Sequence, residues 1–314
     1  MKLSLNHGAK GINPKGSPYL SVWYVDAMRK KKDKTPPLLK FIRWAYPKVE
    51  VVAPPLAYRF FAKLFFTPLK YRATEKERKA ETFANKFEVY AAGKRIQCYR
   101  WGQSDRTVIV VHGWAGRATQ FRRFVKPLIK AGYQVVGFDG PAHGQSEGKE
   151  TTIVEFELTL REVYKVVGTP EAIIAHSFGG GAVLFAAKNG LPVKKLINIA
   201  SPTIGDEIIN TYLKAIGGSE KTKIFFKAFI QKKYGQPFDT FTALEIIKHI
   251  EQPLALLLVH DEKDYEVSME HPLALCKAYP SARLLKTNGL GHTRILKDDA
   301  VIQEIVTFIR GNAS

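Results

Sequence analysis

Cysteine is scarce in this chain of 314 residues: Cys98 and Cys276 are the only two, they fall in unrelated predicted elements, and neither sits in metal-ligand spacing. Neither a disulfide framework nor a zinc site is therefore expected, and a reducing cytoplasm fits. Long apolar runs are missing too. No stretch reaches the about 18 consecutive apolar residues that a membrane-spanning helix needs, and residues 1–15 hold no run long enough for a signal peptide, so neither export nor a membrane span is expected. Internal repeats and low-complexity tracts are absent. Acidic residues are also short, with 48 Lys or Arg against 29 Asp or Glu and a net charge of +19.

That imbalance is uneven. Residues 1–86 hold 19 basic against 6 acidic residues, a balance of +13, which leaves +6 for the remainder. Within this basic part lies the run Arg29-Lys30-Lys31-Lys32, and after Pro36-Pro37 an aromatic-rich stretch is cut into short pieces by Pro47, Pro54, Pro55 and Pro68. Between Pro55 and Pro68, Leu56, Phe60, Phe61, Leu64 and Phe65 recur at helical spacing with Arg59 and Lys63 off the stripe, which predicts a short amphipathic helix. Two readings of the stripe stand: it packs on the body of the protein, or it rests on an anionic membrane surface. Nucleic acid is not expected as a partner, because basic charge unaccompanied by a recognition motif is a weak signal.

From residue 86 the pattern becomes regular. Two β-like segments at 87–91 and 95–101 flank Ala92-Gly93-Lys94 and read as a hairpin. Strand and helix periods then alternate to the C-terminus, with strands at 107–111, 134–138, 173–176, 196–200, 255–259 and 283–286. Such alternation predicts an α/β fold, a mostly parallel sheet with helices on both faces. Residues 1–85 are read as a basic N-terminal extension and 86–314 as one α/β domain. About 203–240, a segment too long for a simple crossover carries many aromatic residues among lysines and is read as a small helical cap.

The chemistry centres on Ile173-Ile174-Ala175-His176-Ser177-Phe178-Gly179-Gly180-Gly181. A strand that turns into a helix within a residue or two must hold the serine in a strained backbone conformation, and that is tolerable only beside residues with almost no side chain, here Ala175 and Gly179. The turn lifts the hydroxyl clear of the backbone and sets it at a helix N-terminus, where free N–H groups favour an oxyanion. Other β-like runs end in loops with chemical content: His112-Gly113-Trp114-Ala115-Gly116, Asp139-Gly140-Pro141-Ala142-His143-Gly144, His260-Asp261-Glu262-Lys263-Asp264 and Gly289-Leu290-Gly291-His292.

In their order Ser, Asp, His, these loops resemble the α/β-hydrolase superfamily over residues 86–312, with Ala142 standing where the family usually has glycine. The resemblance implies Ser177 as nucleophile, His292 as its base and Asp264 as the acid that orients the base, with Asp261 as a turn or cap residue. It also implies an oxyanion hole from the main-chain N–H groups of Trp114 and Phe178. His112 and His143 would shape the site, and His176 would point away from it. Phe225, Phe226 and Phe229 of the cap are candidates to touch substrate. The implied function is that of an esterase-like serine hydrolase needing no cofactor or metal, cytoplasmic or peripheral at the inner membrane surface, acting on a small ester or thioester with an apolar acyl part. A catalytically silent binding or membrane-associated protein on the same fold is the alternative.

Overall fold

The computed structural model describes residues 37–311, so the run Arg29-Lys30-Lys31-Lys32 lies outside the described residues. Two helices, α1 (Pro37–Val52) and α2 (Pro54–Phe66), come first, followed by α3 (Glu75–Thr82) and the hairpin β1 (Asn85–Ala91) and β2 (Lys94–Trp101). Ala92 and Gly93 both take positive φ, 51° and 70°, as a tight two-residue turn between twisted strands requires. The alternating part runs β3 (Thr107–Val111), α4 (Arg122–Lys130), β4 (Gln134–Phe138), α5 (Ile153–Val167), β5 (Ala172–His176), α6 (Phe178–Lys188) and β6 (Lys195–Ile199). After β6 come α7 (Gly205–Ile216), α8 (Glu220–Tyr234) and the short α9 (Ala243–Ile246). The chain closes with β7 (Ala255–Asp261), α10 (Glu270–Ala278), β8 (Arg283–Thr287), α11 (Gly291–Arg294) and α12 (Asp299–Arg310).

The eight strands form one sheet in the order β1-β2-β4-β3-β5-β6-β7-β8, parallel throughout except for β2, which is antiparallel to both its neighbours. Alternate residues of the central strands feed separate cores, as a sheet buried on both faces requires. Ile109, Val111, Ile173 and Ala175 pack against α5 and α6 on one side, whereas Val108, Val110, Ala172 and Ile174 pack towards α4 and α12 on the other. Helix ends are fixed locally: the Thr152 hydroxyl accepts from the Glu155 N–H at 3.2 Å to start α5, and Asp298 caps α12 through the Val301 N–H at 3.0 Å.

A third core lies above the sheet. α7 and α8 form the expected cap, but α1 and α2 pack on them, so that Tyr46 and Phe61 share one cluster with Ile209, Leu213 and Phe226. The boundary expected at residue 85 is therefore not a packing boundary for these two helices. Their junction is also polar: buried Glu50 accepts from the Ser219 and Thr222 hydroxyls, each at 2.5 Å. The α2 stripe itself is divided. Ala57, Phe61 and Ala62 are buried against the cap, Phe65 and Phe66 reach the cavity described below, and Leu56 and Phe60 stay exposed.

Candidate active site

Strand β5 delivers Ser177, and α6 begins at the next residue. Ser177 sits at φ 50°, ψ −124°, in the left-handed region that a non-glycine residue rarely occupies. Its N–H donates to the Ile199 carbonyl at 2.8 Å and its own carbonyl accepts from the Ser201 hydroxyl at 2.5 Å, so β6 holds the turn from both sides. Gly179 is required by contact: a Cβ there would stand 2.6 Å from the carbonyl oxygens of both Val111 and His112. Phe178, as the first helical residue, has an N–H that no preceding turn can satisfy.

The loop after β3 presses against this turn. A Cβ on Gly113 would lie 2.9 Å from the Ser177 Cβ, so only glycine lets the loop approach so closely. The following turn is closed by the Gly116 N–H on the Gly113 carbonyl at 2.9 Å. Two histidines brace it. His112 donates from Nδ1 to the Gly113 carbonyl (2.7 Å) and accepts at Nε2 from the Gly140 N–H (2.8 Å). His143 donates from Nδ1 to the Pro141 carbonyl (2.9 Å) and accepts at Nε2 from the Ala115 N–H (3.1 Å). An accepting nitrogen must be unprotonated, and burial agrees by pushing their pKa values down to about 4 and about 3. The Trp114 N–H takes no part in this network of described hydrogen bonds, and its indole meets the Phe178 ring edge-on at 5.3 Å.

The expected acid and base, Asp264 and His292, lie in the segments that follow β7 and β8. The Asp264 side chain has no exposure; its Oδ1 accepts from the N–H groups of Glu266 (2.8 Å) and Val267 (3.0 Å), and its Oδ2 accepts from His292 Nδ1 at 2.8 Å. Burial alone would raise the carboxyl pKa, but the His292 and main-chain donors outweigh it and hold it below its ordinary value. For His292 burial lowers the pKa, and the hydrogen bond and charge of Asp264, with Glu266 beyond, outweigh that and leave it raised above 6.5. Nδ1 carries the bonded proton, which leaves Nε2 as the nitrogen able to accept another. Asp261, the last residue of β7, does more than cap a turn. Its two oxygens take the Lys263, Gly289 and Leu290 N–H groups and the Thr287 hydroxyl at 2.7–3.1 Å, fixing the loop that leads to His292.

His176 departs from its expected orientation. Its ring lies 4.8 Å from the His292 ring and its Nε2 donates to the His292 carbonyl at 2.9 Å, so it bridges the serine turn and the histidine loop. Burial and the adjacent His292 push its pKa down to about 3, and its buried Nδ1 has no partner.

These groups open onto a cavity of about 420 Å³ lined by Ser177, His292, Trp114 and Phe178 on one side, and by Phe65 of α2 with Tyr212, Ile230 and Tyr234 of the cap on the other. Its size falls within the range of small-molecule sites. Phe225, Phe226 and Phe229 do not line it. Phe225 stacks on Tyr58 of α2 at 4.7 Å, Phe226 is fully buried edge-on against Phe61 at 5.2 Å, and Phe229 packs beside Phe226. The reason is the unforeseen partner helix: α2 covers the outer side of α8 and occupies this row, leaving Ile230 and Tyr234 further along α8 to reach the cavity. Among the described residues no group of three or more His, Cys, Asp or Glu side chains could hold a metal ion, and no helix is long and apolar enough to cross a membrane.

A family model described as "Serine aminopeptidase, S33" matches residues 102–236. A 2-hydroxy-6-oxononadienedioate/2-hydroxy-6-oxononatrienedioate hydrolase of Cupriavidus pinatubonensis is 34% identical over 122 residues, which are 36% of this chain and 42% of that protein. The chain thus matches less than half the length of this curated relative. Among solved structures, an esterase of Pyrococcus furiosus superposes with a TM-score of 0.59 at 20% identity, covering 78% of this chain and 97% of that one. A membrane phospholipase A gives 0.58 at 15% identity, covering 87% and 100%. At these identities the likeness to the solved structures is one of fold.

Proposed function

We propose that the chain is a member of the α/β-hydrolase superfamily and a serine hydrolase that cleaves a carboxylic ester or thioester with an apolar acyl part through an acyl-enzyme. One observation carries this reading: Ser177, in its strained turn, shares a cavity with His292, whose Nδ1 is bonded to the buried Asp264 carboxylate. The Ser177 hydroxyl adds to the substrate carbonyl while its proton passes to His292 Nε2. The resulting imidazolium is stabilised by Asp264. The oxyanion is met by the Trp114 and Phe178 N–H groups, donors of a kind worth ~3 kcal/mol each to the transition state. His292 then returns the proton to the leaving oxygen or sulfur as the C–O or C–S bond breaks, and water repeats the cycle to free Ser177.

The apolar acyl part follows from the walls. Among the described residues no Lys or Arg lines the cavity, the acidic residues that do are Glu207 and Glu266, and aromatic and aliphatic side chains form most of the rest. A dicarboxylate, such as the curated relative's name denotes, would find no counter-charge there and would meet two carboxylates. The test is a fluorophosphonate probe on the wild type and on Ser177→Ala, followed by a series of chromogenic esters of increasing acyl length and one carrying a terminal carboxylate. Labelling lost in Ser177→Ala, with neutral esters preferred, is the expected result. A wild type that fails to label would leave the fold as a silent binding platform.

A further inference from the structure

Helix α1 is apolar on two sides. Its inner row, Leu39, Ile42, Tyr46 and Val49, packs into the cap core. Its outer row repeats the helical period through Leu38, Phe41, Trp44, Val51 and Val52, and continues onto α2 at Leu56; these six side chains keep 61–85% of their surface exposed. Phe41 and Trp44 lie 5.9 Å apart, centroid to centroid. Nothing among the described residues covers the outer side, and an exposed apolar patch of this kind marks a contact surface.

Charge selects the contact. Between residues 37 and 74 there are seven basic side chains, Lys40, Arg43, Lys48, Arg59, Lys63, Lys70 and Arg72, against one acid, Glu50, and Glu50 is buried inward on Ser219 and Thr222. Among the described residues this stretch therefore presents exposed cations and no exposed anion, with Lys70 turned to the Ser146 carbonyl. Lys48 stands over the Trp44 ring at 3.2 Å, a basic head on an aromatic plane. A second copy of the same face would set these cations against one another, and a nucleic acid backbone would leave Leu38, Val51 and Val52 without apolar contact. An anionic bilayer satisfies both demands at once, with acyl chains for the apolar row and headgroups for the cations.

We infer that the outer face of α1 and the start of α2 is a docking surface for an anionic lipid bilayer. The docking stands independently of the hydrolase reading. Its consequence rests on that reading: α2 carries Leu56 and Phe60 at its exposed beginning and Phe65 and Phe66 on the cavity, so the element that meets lipid also forms the roof of the acyl site.

The test uses the full chain and needs no turnover: co-sedimentation with vesicles of phosphatidylcholine alone and of phosphatidylcholine with phosphatidylglycerol, at low and raised salt. Binding is expected to require phosphatidylglycerol and to weaken with salt. Phe41→Ser with Trp44→Ser should reduce it about tenfold or more, and Arg43→Glu with Arg59→Glu by roughly fivefold or more per position. Both pairs are exposed, and each should keep its melting temperature and its hydrolysis of a water-soluble ester. Ser177→Ala should bind vesicles as the wild type does, so a failed hydrolase reading leaves the docking result intact. Absence of vesicle binding, equal binding to neutral and anionic vesicles, or unchanged binding in both double variants would overturn the inference. So would a dimer in solution that Phe41→Ser with Trp44→Ser dissolves while vesicle binding is absent.

Discussion

Two aspartates, Asp261 and Asp264, lie three residues apart, both at the C-terminal end of β7, and replacing each by asparagine separates orientation of the base from support of its loop. In Asp264→Asn the amide oxygen can still take the Glu266 and Val267 N–H groups at the Oδ1 position, so the local turn survives. The amide nitrogen then faces His292 Nδ1 at the present 2.8 Å contact, and two donors cannot share it. The imidazole must accept there and carry its proton on Nε2, the nitrogen that has to receive the Ser177 proton. Removing the carboxylate also removes the charge that keeps the His292 pKa raised. The corresponding change in the best-studied triad costs ~10⁴ in turnover. At least about a hundredfold is expected here, or ~2.7 kcal/mol of transition-state stabilisation. Asp261→Asn acts elsewhere: three N–H groups and a hydroxyl converge on its oxygens, and one amide NH2 must now face donors. That strain costs ~1–3 kcal/mol of stability in the loop, with turnover within about tenfold of wild type. Steady-state kinetics on a soluble ester beside thermal unfolding of both variants measures the two effects. A larger kinetic loss in Asp261→Asn than in Asp264→Asn would refute the assignment.

The pH profile should follow His292. Its neutral form is the base and its pKa is raised, so kcat/KM should fall as pH drops through a midpoint above 6.5, and that midpoint should move down in Asp264→Asn; a profile flat through this range would remove His292 as the base. Gly113→Ala places a methyl 2.9 Å from the Ser177 Cβ and 3.1 Å from the His176 carbonyl, so the oxyanion loop must retreat; kcat should fall about a hundredfold with little change in melting temperature, read by kinetics and calorimetry together. Tyr234→Ala should shift the acyl-length optimum upwards by enlarging the cavity. Phe225→Ala, which loses its stack on Tyr58, should leave that optimum alone and cost about 1–2 kcal/mol of stability in a denaturant titration.

What could be read from the chain was whatever lies beside itself in sequence. The serine turn, its small neighbours and the buried runs before each loop are short, contiguous patterns, and β5, β4 and β3 appear at the residues those patterns mark. Asp264 is preferred to Asp261 on a different ground, the resemblance, which places the acid several residues beyond the strand; β7 ends at Asp261, and the Asp264 carboxylate accepts from His292 Nδ1. His176 shows where adjacency misleads. Strand alternation would carry its ring away from the serine, but the backbone at Ser177 turns through positive φ, and the ring comes to rest against the loop from β8.

Which cap residues line the cavity was not legible, for a different reason. A helical period states that a face is buried and is silent on what buries it, so the aromatic row of α8 could be read as packing surface or as cavity wall. The answer depended on Tyr58 and Phe61, more than 150 residues earlier in the chain, whose own stripe read equally well as core or as lipid contact. Each ambiguity resolves only through the other. Once α2 lies on α8, Phe225, Phe226 and Phe229 are consumed by the contact, and Ile230 and Tyr234 are left for the cavity. Phe65 and Phe66 become part of the roof, and the apolar outer row of α1 stays exposed among the described residues. The pairing that removed three residues from the candidate site thus also separates the half of the N-terminal helices that is core from the half that faces outwards.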